Sequence, residues 1–336
     1  MMQDYFTHGG PDALGSPVWD FSTNANACGP SPDAIAMLAA VDARLYPDPS
    51  YAKLRQQLAQ WHGVAAGRVL LAGSASEFIF RLTGWVQRQG VVQVVLPEHS
   101  YGDYARAALA CGMGIRSYGA QGGVHDSDNK LTNKSLIWCC DPTSPLGQRD
   151  RTWSSAEPQA IVVLDMAYAP LSLVTNICAD AAALDKVWQL WTPNKALGLT
   201  GLRAAYAIAP VGSELETAQL NALCPSWPVG SHGVVMLAAW VSPSVQSWLA
   251  ASLVTLQTWK LRQITLCESL GWICLPSTAN FFVARPRIPL APTKLQALRL
   301  QGIKLRDCAS FGLPGHLRLS VQSPLAQDAL VQALST

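Results

Sequence analysis

Five short apolar runs recur between residues 69 and 209: "VLLAG" (69–73), "VVQVVLP" (91–97), "LIWCC" (136–140), "IVVLD" (161–165) and "AAYAIA" (204–209). Stretches long enough for a helix separate most of them. A run with little or no polar alternation is a strand buried on both faces, as in a parallel sheet covered by helices. The pattern therefore predicts a doubly wound α/β unit over about residues 45–235. The 336 residues leave room for a second unit.

After Pro243 the period changes. Val245, Trp248, Leu249, Ser252, Leu253, Leu256 and Trp259 fall on one face of a predicted helix. "ANFFVARP" (279–286) and "HLRLSV" (316–321) follow as two strand candidates. A smaller α+β unit is expected from residues 236–336 together with residues 1–44. The Ser/Thr/Pro/Gly-rich stretch near 120–135 reads as a surface loop.

Composition narrows the function. With 49% hydrophobic residues and a mean hydropathy of +0.16, the chain is expected to bury surface in an oligomer, at least a homodimer. A net charge of +2 without a basic run gives no electrostatic case for nucleic acid. No apolar run approaches the roughly 20 residues of a membrane span, and the start "MMQDYFTHGG" lacks the layout of a signal peptide, so a cytoplasmic location is expected. The nine cysteines lack C-x-x-C spacing and read as buried free thiols rather than a metal site or disulfide framework. A small molecule is the expected partner.

In open parallel sheets ligands collect at the carboxyl ends of strands, so the polar residues that follow each run are the candidates. After 69–73 come Ser74, Ala75, Ser76 and Glu77, where small residues at a strand-to-helix turn can aim backbone N–H groups at an anion. After 91–97 comes Tyr101, able to stack on a planar ring. The run 161–165 ends in Asp165, with Tyr168 three residues on; a buried strand-end aspartate requires something cationic to meet it. "WTPNKALGLTGLRAAYAIAP" (191–210) adds Lys195 and Arg203. An enclosed lysine can be neutral enough to condense with an aldehyde, and an arginine fork suits a phosphate. Anion turn, ring-stacking tyrosine, strand-end acid, amine and arginine are together the requirements of pyridoxal phosphate.

With these motifs the sequence resembles the fold-type-I superfamily of pyridoxal-phosphate enzymes. "TPNKALGLTGLRAAY" is similar to its lysine segment, "VLDMAY" to its Asp-x-x-Tyr strand, "HLRLSV" to its carboxylate-binding arginine strand and "DPTSPLG" (141–147) to its Asn-Pro loop. "DFSTNANACGPSP", "LYPDPSYAKLRQQLA", "SASEFIF", "YGDYARA" and "RDCASFGLPGHLRLSV" resemble the branch holding histidinol-phosphate aminotransferases and threonine-phosphate decarboxylases. The opening His8-Gly9-Gly10 is similar to the decarboxylases of the cobalamin pathway and tilts the expected reaction to decarboxylation, with transamination, or binding of pyridoxal phosphate without turnover, as the alternatives.

The resemblance implies roles. Lys195 carries the cofactor. Ala75, Ser76, Asn194 and Arg203 hold its phosphate, with Tyr46 reaching the phosphate in a neighbouring subunit. Tyr101 stacks on the ring, Asp165 faces the ring nitrogen and Tyr168 the ring hydroxyl. Arg318 takes the substrate carboxylate, His8 and Arg306 the substrate phosphate, and Asn24 lines the substrate pocket. Ser144 departs from the pattern, standing where the family has an asparagine that reaches the ring hydroxyl.

Overall fold

The computed structural model describes residues 8–119, 135–155, 160–174 and 181–335. A two-residue strand, β1 (Trp19–Asp20), comes first. Then β2 (Val69–Ala72), β3 (Gln93–Pro97), β4 (Gly114–Tyr118), β5 (Leu136–Cys140), β6 (Ile161–Asp165), β7 (Trp188–Trp191) and β8 (Ala205–Ile208) build a seven-stranded sheet. Its order is β2-β8-β7-β6-β5-β3-β4; β8 runs antiparallel to both neighbours and the other pairs are parallel. The core of β2, β5 and β8 is apolar and buried throughout, as strands covered on both faces must be.

All five apolar runs form strands, and β4 and β7 are additions. β4 lies at the sheet edge, where Arg116 and Ser117 interrupt the apolar pattern. β7 carries a buried Gln189, satisfied by donating to the Leu184 carbonyl and accepting from Trp191 Nε1 at 3.3 Å each.

The helix Ala75–Arg88 starts where Ser74, in extended conformation, accepts the Glu77 N–H at 3.0 Å. It buries Phe78, Ile79, Leu82, Trp85 and Val86, a helical spacing, against the sheet. The helix Pro243–Ser269 buries Val245, Leu249, Ser252 and Leu256 as the periodicity predicts, and continues the stripe with Lys260, Gln263 and Cys267. Lys260 is satisfied by the Ser277 and Ala279 carbonyls at 2.6 and 2.7 Å.

Beyond this helix lie β9 (Ile273–Cys274), β10 (Phe281–Arg285), β11 (Ile303–Lys304), β12 (Arg306–Asp307) and β13 (Leu317–Ser320). Four of them form an antiparallel sheet in the order β12-β13-β10-β9, while β11 pairs in parallel with β1. The N-terminal segment therefore joins the C-terminal third of the chain.

Two expectations change. Of the eight described cysteines, Cys139, Cys140, Cys267 and Cys308 are buried, whereas Cys28, Cys111, Cys224 and Cys274 are half-buried. The predicted loop near 120–135 lies outside the described residues except for Ser135, which is buried where β5 begins. Among the described residues no single helix is long and apolar enough to cross a membrane. The bent pair Ser231–Trp240 and Pro243–Ser269 has that composition, and its buried Met236, Leu237, Trp240, Val245 and Leu249 lie in the protein core.

Candidate active site

The carboxyl ends of β2, β3, β5, β6 and β7 open onto one cavity of about 240 Å³, walled on its other side by the N-terminal segment and the four-stranded sheet. Of the residues singled out from sequence, His8, Asn24, Ala75, Ser76, Tyr101, Ser144, Asp165, Tyr168, Asn194, Lys195, Arg203, Arg306 and Arg318 all line it. Tyr46 does not: it is 79% exposed and stacks on Trp227 at 4.6 Å.

Lys195 sits in a turn closed by Leu197 N–H to the Pro193 carbonyl and Leu199 N–H to the Asn194 carbonyl, at 2.9 and 2.8 Å. The N-terminal segment fixes this turn: Asn26 N–H donates to the Lys195 carbonyl at 2.9 Å and Asn26 Nδ2 to the Ala196 carbonyl at 3.1 Å. Gly198 has φ +67°, and a Cβ there would lie 2.9 Å from the Gly29 carbonyl carbon, so only glycine allows this approach. Lys195 Nζ projects 5.3 Å from the centre of the Tyr168 ring.

Asp165 ends β6 fully inside the protein. Its Oδ2 accepts the Tyr104 hydroxyl at 2.6 Å and its Oδ1 the Ala167 N–H at 2.9 Å. Burial raises its pKa, opposed by these two bonds and by the Lys195 charge. The cationic partner expected from sequence is not within ion-pair distance among the described residues; the side-chain partner of Asp165 is a neutral donor, Tyr104, which stacks on Trp138 at 4.8 Å. Nothing in the sequence pointed to Tyr104 except its place one helical turn after Tyr101.

Tyr101 Oη donates to Asp103 Oδ2 at 2.8 Å and lies 3.2 Å from Ser76 Oγ; burial holds its pKa above the ordinary tyrosine value. Tyr168 Oη accepts from Asn24 Nδ2 at 3.3 Å.

Four buried polar atoms of cavity residues have no protein partner: Asn24 Oδ1, Thr192 Oγ1, Asn194 Oδ1 and Arg318 Nε. Leaving such groups unpaired costs about 1–3 kcal/mol each, so the cavity is built for a polar occupant. Asn194 Nδ2 donates to the Leu202 carbonyl at 3.3 Å, which leaves its second N–H for the phosphate expected of it, while its Oδ1 has no partner. The Thr192 hydroxyl, three residues before the lysine and not singled out from sequence, is a further donor without a partner.

On the other wall, β12 and β13 place Arg306 and Arg318 directly opposite one another. Both are buried, at 5% and 7% exposure, and both guanidinium groups lie near the Phe311 ring, at 4.7 and 5.5 Å. Like charges facing across a ladder repel, and buried cations need anions. Arg306 donates to Ser310 Oγ and the Asp307 carbonyl, each at 2.7 Å. Arg318 donates to the Ser22 carbonyl at 3.0 Å and to Ser144 Oγ at 3.3 Å, and no carboxylate of the described residues is within ion-pair distance of it. Ser144 is therefore engaged with the arginine.

A lysine, a buried strand-end aspartate and an anion-binding helix start at the carboxyl edge of such a sheet define a pyridoxal-phosphate fold of type I, α/β with a mostly parallel central sheet. The chain belongs to the aminotransferase class I and II family, whose sequence profile matches residues 16–334. Members of this family use pyridoxal phosphate.

A histidinol-phosphate aminotransferase of Symbiobacterium thermophilum is 28% identical over 327 residues, covering 93% of this chain and 88% of the relative. Among solved structures, L-threonine-O-3-phosphate decarboxylase from Porphyromonas gingivalis superposes with a TM-score of 0.78 at 20% identity, over 94% of this chain and 98% of that one. Histidinol-phosphate aminotransferase from Sinorhizobium meliloti in complex with pyridoxal-5'-phosphate gives 0.77 at 19% identity, over 93% and 88%.

Proposed function

We propose that this chain binds pyridoxal phosphate and decarboxylates O-phospho-L-threonine to (R)-1-amino-2-propanol phosphate and carbon dioxide. The observation that carries the reading is the in-register pair Arg306 and Arg318, buried together in a cavity that His8 also lines. Two guanidinium groups and an imidazole suit a substrate with two anionic ends, a carboxylate and a phosphate.

When bound, pyridoxal phosphate supplies an aldehyde and a ring that accepts the electron pair left by a bond broken at the α-carbon. The residues present fit it. The helix start at Ala75 and Ser76, the Asn194 amide, the Thr192 hydroxyl and the exposed guanidinium of Arg203 would hold its phosphate. Tyr101 would cover one ring face, Asp165 would hold the ring nitrogen's proton, and Tyr168 would donate to the ring hydroxyl. Lys195 would provide the amine and would hold a proton for the α-carbon.

Arg318 sets the carboxylate's direction, and that direction decides which bond breaks. His8, which lines the same cavity as Arg306, favours a phosphate on the substrate's other end. A homodimer, in which Tyr46 reaches a second copy's cofactor phosphate, accounts for its exposure outside its own cavity. Within each copy, residues 45–235 would hold the cofactor and residues 1–44 with 236–336 the substrate's anionic ends.

The alternative is transamination of histidinol phosphate, here with 2-oxoglutarate as acceptor; the Symbiobacterium relative is named a histidinol-phosphate aminotransferase. Carbon dioxide release from O-phospho-L-threonine, measured beside glutamate formation from histidinol phosphate, separates the two. Release that disappears in Lys195→Ala supports decarboxylation; glutamate formation without release transfers the assignment to transamination.

A further inference from the structure

His8 and Gly9 line the cavity, and the segment that follows them, to Gly15, is clipped down at one point. Asp12 accepts two hydrogen bonds from Arg299, at 2.9 and 2.8 Å, and pairs with Lys304 at 3.0 Å. The same two cations bind the neighbouring backbone, Arg299 at the Gly15 carbonyl (2.6 Å) and Lys304 at the Gly10 carbonyl (2.5 Å). Asp12 and Gly15 exchange backbone hydrogen bonds, so the clipped segment is a closed loop. Arg299 lies in the last turn of the helix Pro292–Leu300 and Lys304 ends β11, the strand that pairs with β1.

The same segment reaches the substrate wall through Ser22. Gly10 N–H donates to Ser22 Oγ at 2.8 Å, and Ser22 Oγ donates to Asp20 Oδ1 at 2.5 Å. The Ser22 carbonyl accepts from Arg318. Gly9 packs so closely that a Cβ would lie 2.2 Å from the Ser22 carbonyl oxygen. One residue, Ser22, thus links the segment carrying His8 to the arginine assigned to the carboxylate.

We propose that Asp12 is a positioning residue: its ion clip to Arg299 and Lys304 holds the 8–15 strap against Ser22 and so sets His8 in place for the substrate's phosphate. The proposal rests on the phosphate reading of that wall. Asp12 touches no substrate and lies outside the cavity lining. Its effect passes through His8, which charge alone would not require of a surface aspartate.

The test is calorimetric titration of the cofactor-loaded protein with inorganic phosphate, the cofactor's own phosphate site being filled. Asp12→Ala should weaken phosphate binding by about tenfold, and Asp12→Glu should restore it to within about threefold. Arg299→Met, which removes the clip from the other side, should match Asp12→Ala. In the His8→Ala background Asp12→Ala should have no further effect, the mark of residues acting as a unit. In turnover the KM for O-phospho-L-threonine should rise in parallel while kcat stays within about twofold.

Unchanged phosphate affinity in both Asp12→Ala and Arg299→Met, with wild type binding phosphate, overturns the clip alone. A wild type that binds no phosphate overturns the phosphate reading and the clip with it. Equal losses for Asp12→Ala with and without His8 overturn the route through His8.

Discussion

Tyr104 donates a 2.6 Å hydrogen bond to Asp165 across 61 residues of sequence, and both side chains are buried. The carboxylate expected to hold a cofactor's ring nitrogen is therefore oriented by a phenol on the helix Gly102–Ala110, which follows β3. Replacing Tyr104 by Phe keeps the stack on Trp138 but leaves Asp165 Oδ2 short of a donor. The carboxyl pKa should rise further, stability should fall by about 1–3 kcal/mol, and kcat should drop on the order of tenfold. Urea denaturation and steady-state kinetics check both; unchanged kcat would make Tyr104 a packing residue only.

Ser144 and Arg318 give a graded prediction. Ser144→Ala removes one acceptor from a buried guanidinium and should change the KM for O-phospho-L-threonine only severalfold. Arg318→Lys loses the planar fork that binds a carboxylate at two points and should raise KM by about a hundredfold. Similar losses for both variants would show that Ser144 meets the substrate or cofactor directly.

Tyr46 and Leu45 are 79% and 65% exposed. Tyr46→Ala should leave single-chain stability within about 0.5 kcal/mol, as for an ordinary surface site. In the proposed dimer it should nonetheless weaken retention of pyridoxal phosphate, read as a higher dissociation constant with sedimentation unchanged. Equal retention in the variant would remove the cross-subunit role.

His62 is tied to Tyr206 at 2.8 Å, with Trp240 Nε1 donating to the same hydroxyl at 3.1 Å, and burial pushes its pKa down to about 4 from 6.5. Because the folded pKa lies below the unfolded one, the unfolded chain binds more protons between these values. The stability His62 supports is fully present above pH 6.5 and lost as pH falls to about 4, a change of roughly 2–3 kcal/mol. His62→Gln should flatten this stretch of the stability profile, measured by urea midpoints at pH 7 and 5.

Much of the sheet was legible because strands buried on both faces cannot alternate with polar residues: β2, β3, β5, β6 and β8 are apolar runs. β4 and β7 were not, since an edge strand tolerates Arg116 and a buried Gln189 is acceptable only once its partners are known. The helix Pro243–Ser269 was legible from period alone, although its buried Lys260 became intelligible only with the Ser277 and Ala279 carbonyls in view.

The sequence by itself determined the types and order of the chemical groups: lysine, strand-end aspartate, stacking tyrosine and arginines, at strand ends where an α/β sheet delivers them to one edge. Tertiary structure decided their partners. It gave Asp165 its tyrosine, turned Ser144 toward Arg318, set Arg306 opposite Arg318, offered the Thr192 hydroxyl beside the Asn194 amide, and left Tyr46 outside its own cavity. The physical reason is that apolar periodicity is a local property of the chain, whereas a hydrogen bond between residues far apart exists only after packing has fixed distance and direction together.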